Sequence, residues 1–242
     1  MATSETLIAH LLELRSRLLH STVALLLVFL CLFPWAAELY TLLAQPLLEK
    51  LPKGGQMIAT GVTTPFFVPI KVAMMAAFLV SLPYLLWQMW RFVAPGLYAH
   101  EKRLVWPLVS ASTLLFFSGM AFAYFAVFPV VFGFITGVAP QGVAVMTDID
   151  EYLSFVIGMF MAFGITFQVP VAVIVLVRMG VVSVEKLREI RSYVVVGAFI
   201  VGAVFTPPDV VSQFMLAIPL WLLYEAGIVV AAWTMPSAGS SG

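Results

Sequence analysis

The chain has 242 residues, of which 62% are hydrophobic and 10% are charged. Soluble domains carry roughly 25% charged residues, so this composition excludes a soluble core and indicates an integral membrane protein. The 12 basic and 12 acidic side chains cancel, and this balance gives no indication of a nucleic-acid partner.

The first membrane span is predicted near the amino terminus. The 20 residues between Arg17 and Glu38 contain no Asp, Glu, Lys or Arg, which is enough for one spanning helix. Because no small-residue cleavage site follows, we expect this span to be retained. The seven Pro and Gly residues within 41–69 predict an ordered external cap made of short helical pieces.

Two further spans follow the cap. The second is predicted over Val72–Trp90, with a basic residue at each end. The third runs from Leu104 to about Thr136 within a stretch of 44 uncharged residues, and Pro129 is expected to kink it.

The fourth span lies between Glu151 and Arg178, whose 26 intervening residues are uncharged. Such a helix is ~39 Å long and exceeds the ~30 Å hydrocarbon core, so it must tilt or bend, and Pro170 is the expected bend. Gln168 is the most polar side chain of the run. An unpaired amide at this depth is costly, so we expect an interior-facing partner.

The last two spans are short. A small interfacial helix capped by Ser183 precedes them. Only 13 residues lie from Tyr193 to Phe205 before a Thr-Pro-Pro-Asp turn, and 15 uncharged residues precede Glu225. A 13-residue helix covers ~20 Å, so this helix 5/6 hairpin either stops short of one membrane surface or thins the bilayer.

These segments predict an all-α integral membrane protein with six transmembrane helices in a single domain over residues 1–235. Residues 236–242 are interpreted as the scar of an expression tag. Nine Lys and Arg residues fall on one side of the predicted membrane and three on the other. The positive-inside rule then places both termini in the cytoplasm.

The sequence predicts no enzyme, cofactor or metal site. It contains no phosphate-binding G-x-x-x-x-G-K-[ST] motif and no H-E-x-x-H, and its three His residues lack metal-ligand spacing. A transport function would therefore draw on the membrane potential, a proton gradient or a partner protein.

Two segments on the predicted cytoplasmic side carry polar chemistry. Glu13 and Arg17 are an i, i+4 pair on an amphipathic helix, which is either an interfacial helix that orders the first span or a binding surface. The second segment, residues 91–103, places Glu101 in a loop braced by Pro95.

Several segments resemble one family in the same order along the chain. They are HLLELRSRLL, MIATGVTTPFFVPIK, FVAPGLYAHEKR, FFSGMAFAYF, MAFGITFQVPVA and VGAFIVGAVFTPPDVVSQ, followed by LAIPLWLLYE. Together they are similar to TatC, the polytopic subunit of the twin-arginine protein translocase, from about His10 to Glu225.

The resemblance implies a receptor and scaffold in the bacterial inner membrane. It would recognise signal peptides with paired arginines and export folded proteins with the proton-motive force. Its implied partners are the single-span proteins TatA and TatB, membrane lipid and the signal peptides, within an oligomeric complex.

The resemblance also implies a signal-peptide site. Glu13 and Glu101 match the family's carboxylates that face the twin arginines, Arg15 matches a basic position beside them, and Phe92 and Pro95 match the loop that shapes the site. Independently, a fixed carboxylate suits the planar fork of a guanidinium better than the compact charge of Lys.

A second set of matches concerns partner proteins. Thr206 and Gln213 match positions offered to the polar residue of a TatA or TatB helix, although each could instead bond within its own chain. Asp209 either caps helix six or contacts a partner. Many relatives carry Glu where this chain has Gln168, so proton uptake at this position is not expected.

The sequence leaves two other functions to consider. A secondary transporter of a small solute is the alternative, but the spans show neither paired broken helices nor a midplane cluster of charges. An intramembrane hydrolase lacks a nucleophile and base pair.

Overall fold

A computed structural model describes residues 2–48, 57–93, 105–137, 146–205 and 210–234, and within them the regular structure is helical. The elements in chain order are α1 (Ala2–Leu32), a 3-10 turn (Phe33–Trp35), α2 (Ala36–Leu48), α3 (Thr64–Val93), α4 (Val105–Phe122), a π-helical turn (Ala123–Val127), α5 (Phe128–Gly137), α6 (Ile149–Thr166), α7 (Val169–Arg178), α8 (Val184–Glu189), α9 (Arg191–Phe205) and α10 (Val210–Thr234).

Among the described residues, five helical segments are apolar and long enough to cross a membrane. They match predicted spans one to four and six, and α9 is a shorter apolar helix at the position of the predicted fifth. The five segments are His10–Gln45, Thr64–Val93, Val105–Phe134, Ile149–Arg178 and Val210–Trp233.

The predicted cap boundaries are wrong at both ends. Helix α2 continues to Leu48 and α3 begins at Thr64, so helices occupy part of the expected 41–69 cap. Pro65 lies in the first turn of α3, where a missing N–H costs no helical hydrogen bond. Pro69 lies inside α3 beside the buried Val68. Proline density alone therefore overstated the break.

Regular α-helical geometry is interrupted near both Pro129 and Pro170, the positions of the predicted kink and bend. The third span departs from α-helical geometry in the π-helical turn that ends two residues before Pro129. The fourth span ends as an α-helix at Thr166, turns through two residues and resumes as α7, which has Pro170 in its first turn. In both places the ring removes an N–H donor from the helical ladder.

The described residues form two units. Unit 1 comprises those within 1–49, 53–113 and 146–154, and unit 2 those within 114–145 and 155–242. In unit 1, α1 and α2 pack on α3. Trp90 Nε1 donates to Ser112 Oγ at 3.1 Å, and Tyr152 Oη donates to the Leu43 carbonyl at 2.8 Å. These bonds attach the first residues of α4 and α6 to the unit.

Unit 2 is held by close helix packing. Helices α7 and α9 pack on α10, and a Cβ at Gly227 of α10 would lie 2.9 Å from Pro170 Cα. A Cβ at Gly119 would lie 2.5 Å from the Phe163 carbonyl oxygen. Only glycine allows the backbones to come this close.

The predicted Ser183 cap is confirmed in unit 2. Its hydroxyl accepts a hydrogen bond from the Lys186 N–H at 3.2 Å at the start of α8. Tyr224 Oη donates to the Leu187 carbonyl at 2.8 Å and so attaches α10 to this short helix.

Candidate functional site

The predicted Glu13–Arg17 pair forms a salt bridge on α1 of unit 1. Arg17 Nε donates to Glu13 Oε1 at 3.0 Å, and Arg17 Nη2 donates to the same oxygen. The spacing of four residues places both side chains on one helix face. The Arg17 side chain is 15% exposed and that of Glu13 is 37% exposed. The carboxylate is therefore the more accessible member of the pair.

Helix α3 supplies two residues that extend this pair. Arg17 Nη1 donates to Gln88 Oε1 at 3.2 Å, and Gln88 Nε2 donates to Tyr84 Oη at 2.7 Å. Gln88 is buried. Neither Gln88 nor Tyr84 was among the residues predicted for the site. The sequence signal for Gln88 was the presence of an amide inside an apolar span, because such a group needs a hydrogen-bond partner.

Aromatic rings lie beside the salt bridge. The ring of Phe92, a predicted site residue, stacks on His10 with centroids 4.3 Å apart and planes 21° apart. The Arg91 guanidinium carbon lies 4.8 Å from the Trp87 ring centroid, within the range of a cation–π interaction. The end of α3 thus presents aromatic surface and positive charge next to α1.

Arg15 does not share this face. It is exposed on α1, and two residues of α-helix rotate the chain so that Arg15 lies about 160° around the axis from Glu13. Predicted site residues Pro95 and Glu101 lie outside the described residues, as do Thr206 and Asp209.

The remaining predicted polar residues lie in unit 2. Gln213 Nε2 donates to the Phe199 carbonyl at 2.9 Å, so its amide bonds within its own chain in this structure. Gln168 is half-buried in the turn between α6 and α7, where its N–H donates to the Ile165 carbonyl at 2.9 Å. Arg191 Nη2 of α9 donates to Glu225 Oε2 of α10 at 2.6 Å. The acid of α10 therefore has a basic partner.

A second carboxylate centre lies at the other end of α3. Asp148 Oδ2 accepts from the Thr60 hydroxyl at 2.6 Å and the Thr60 N–H at 2.9 Å. Its Oδ1 accepts from the N–H groups of Asp150 at 2.7 Å and Glu151 at 3.3 Å. The Thr60 hydroxyl, followed by these N–H groups, lowers the pKa of Asp148 to about 2.

The geometry of this centre identifies it as structural. Asp148 lies immediately before α6, so its bonds to Asp150 and Glu151 cap that helix. A parallel bridge between Ile58 and Asp148 joins the same segments, and Lys71 Nζ lies 2.5 Å from Asp150 Oδ1. Donors from the chain itself therefore bond both oxygens of this carboxylate.

The described part of the chain contains no group of three or more His, Cys, Asp or Glu residues that could hold a metal ion. What the Glu13 centre offers is a partly exposed carboxylate beside aromatic rings. That combination can accept paired N–H groups from a cationic ligand.

Comparison with known proteins gives one family. The profile described as "Sec-independent protein translocase protein (TatC)" matches residues 9–219. The chain is 54% identical over 226 residues to the protein of that name from Azotobacter chroococcum mcd 1, with 93% of this chain and 89% of the relative covered. It is also 54% identical over 225 residues to the protein of that name from Escherichia coli strain K12, with coverage of 93% and 87%.

A solved structure described as the crystal structure of "Twin Arginine Translocase Receptor- TatC" is also similar. It superimposes with a TM-score of 0.81 at 39% sequence identity, and the match covers 93% of this chain and 98% of that chain.

Proposed function

The chain belongs to the TatC family of Sec-independent protein translocase proteins, and from this premise we propose that it is the subunit that recognises twin-arginine signal peptides. It is a transport protein of the bacterial cytoplasmic membrane and a component of the translocase. We further propose that it acts as the scaffold through which folded proteins are exported with the proton-motive force.

The partly exposed carboxylate of Glu13 is the observation that carries this proposal. The hydrogen bonds that it accepts from Arg17 both end on Oε1, so Oε2 can accept from an incoming guanidinium. Glu101 would supply the second carboxylate, Arg15 a neighbouring charge, and Phe92 with Pro95 an apolar wall. A guanidinium donates in a planar fork, which favours paired arginines over lysines at such a site.

We propose six spans with both termini in the cytoplasm. Five long apolar segments and the shorter α9 support the number, and the excess of Lys and Arg on one side supports the orientation. In this topology the Glu13 end of α1 faces the cytoplasm, where a signal peptide arrives before export.

The α9/α10 hairpin is the proposed surface for TatA-like and TatB-like partners. Thr206 and Gln213 would offer hydrogen bonds to a polar group of a partner helix, and Asp209 would cap α10 or join that contact. Binding at Gln213 would exchange its bond to the Phe199 carbonyl. Gln168 would contribute a hydrogen bond and not a proton, because an amide does not titrate.

The test is binding of a labelled twin-arginine signal peptide to the purified protein in detergent, beside a twin-lysine peptide. We expect selective binding of the arginine peptide. Glu13→Gln should lower that affinity by about tenfold or more, because it removes a charged hydrogen-bond acceptor.

The matched control is Glu38→Gln, which neutralises an exposed carboxylate near the other end of the first span. It should leave affinity unchanged. Equal binding of the two peptides by the unmodified protein would contradict the proposed receptor function.

A further inference from the structure

Two contacts hold the buried Gln88 side chain, and the contact with Arg17 decides its orientation. Its carbonyl oxygen accepts from Arg17 Nη1 at 3.2 Å, and its amide nitrogen donates to Tyr84 Oη at 2.7 Å. Turning the amide over would place its N–H donors against the guanidinium, which has donors only. Tyr84 lies one turn before Gln88 on the same helix, so α3 itself supplies the second contact of the amide.

Arg17 needs this contact because its side chain is largely enclosed. A charged group in such a place must have its donors satisfied. Glu13 satisfies Nε and Nη2, and Gln88 satisfies Nη1. With three of its nitrogens bonded, the planar guanidinium is fixed in position, and through it one oxygen of Glu13 is fixed as well.

We propose that Gln88 is a positioning residue for recognition of the paired arginines. Gln88 holds Arg17, and Arg17 holds the Glu13 carboxylate in the orientation that a guanidinium fork requires. The inference deepens the proposed function and rests on it.

The physical consequence concerns selectivity more than affinity. A carboxylate in a fixed orientation favours the two aligned hydrogen bonds of a guanidinium, whereas an ammonium interacts as a point charge with a mobile carboxylate almost as well as with a fixed one. Loss of the Gln88–Arg17 bond should therefore lower the affinity for the arginine peptide much more than the affinity for the lysine peptide.

The experiment measures the affinities of the full-length protein in detergent for twin-arginine and twin-lysine signal peptides, with and without Gln88→Met. Methionine keeps the length of the side chain and removes the acceptor. We expect the arginine-over-lysine ratio to fall on the order of tenfold, as for loss of a hydrogen bond to a charged group. An unchanged ratio, or equal weakening of both peptides, would overturn the proposal.

Two further variants separate positioning from packing. Gln88→Asn keeps the amide but is one methylene shorter, so it should lower the ratio too and serves if Gln88→Met does not fold. Ser81→Ala, two turns earlier on α3, removes a buried hydroxyl that has no hydrogen-bond partner among the described residues. It should leave the ratio unchanged, and a fall equal to that of Gln88→Met would overturn the proposal.

A double variant tests whether Gln88 acts through Glu13. In the Glu13→Gln background, Gln88→Met should lower the ratio no further, because the carboxylate that it positions is gone. An additional fall of tenfold would contradict the inference. If the unmodified protein does not distinguish the two peptides, the proposed function itself fails. If it does, and Glu13→Gln abolishes the distinction while Gln88→Met does not, only this inference fails.

Discussion

Two carboxylates at opposite ends of α3 have different kinds of partner. Asp148 accepts four hydrogen bonds, three from main-chain N–H groups and one from the Thr60 hydroxyl. The described bonds of Glu13 come from one side chain, Arg17. Donors from the chain bond both oxygens of Asp148, whereas both bonds from Arg17 end on Oε1 of Glu13. The first arrangement stabilises the fold, and the second leaves Oε2 of Glu13 for the proposed contact with an arginine.

The strongest test of this comparison on the folding side is Asp148→Ala. It removes the cap of α6 and the link to Thr60, so Tm in detergent should fall by about 2–4 °C, the usual effect of losing a helix cap in a chain of this size. Affinity for the twin-arginine peptide should not change. Glu151→Ala, an exposed acid three residues later, serves as the control. A Tm equal to that of the unmodified protein would show that the four bonds stabilise nothing.

A pH titration sharpens the same contrast. Because folding lowers the pKa of Asp148 to about 2, its contribution to stability is complete above the unfolded value of ~3.9 and is lost as pH falls through about 2. Tm should therefore fall more steeply between pH 4 and pH 2 in the unmodified protein than in Asp148→Asn. Parallel curves for the two proteins would contradict the assignment of this titration to Asp148.

The smallest effect is expected for Lys71→Met, which removes the partner of Asp150. Both side chains of that pair are more than 40% exposed, and exposed ion pairs contribute about 0–1 kcal/mol. Tm should change by less than about 2 °C, and added salt should reduce the difference. A fall in Tm as large as that of Asp148→Ala would show that the ion pair stabilises this region as much as the cap does.

Several features that depend on residues close together in the sequence were predicted correctly. Apolar run lengths gave the long helices, and the missing N–H groups of Pro129 and Pro170 marked both interruptions. The i, i+4 rule gave the Glu13–Arg17 pair. These signals lie within one helix, so no knowledge of tertiary structure was needed.

The missed contacts join residues that are distant in sequence. Arg17 and Gln88 are 71 positions apart, and Thr60 and Asp148 are 88 apart. No periodicity reports which polar groups meet when α1 packs on α3 or when the start of α6 meets residue 60. The start of α3 differs from the prediction for a local reason: this helix accommodates Pro65 and Pro69 near its amino end, where the sequence pattern predicted a break.

The most direct test compares variants of the two carboxylates in the same pair of measurements. Affinity for the twin-arginine peptide and Tm are both measured for Glu13→Gln and for Asp148→Asn. We predict that Glu13→Gln lowers affinity by about tenfold with Tm almost unchanged, and that Asp148→Asn lowers Tm with affinity unchanged. If Asp148→Asn weakens binding as much as Glu13→Gln does, or if Glu13→Gln binds normally, then Glu13 is not the carboxylate that reads the paired arginines.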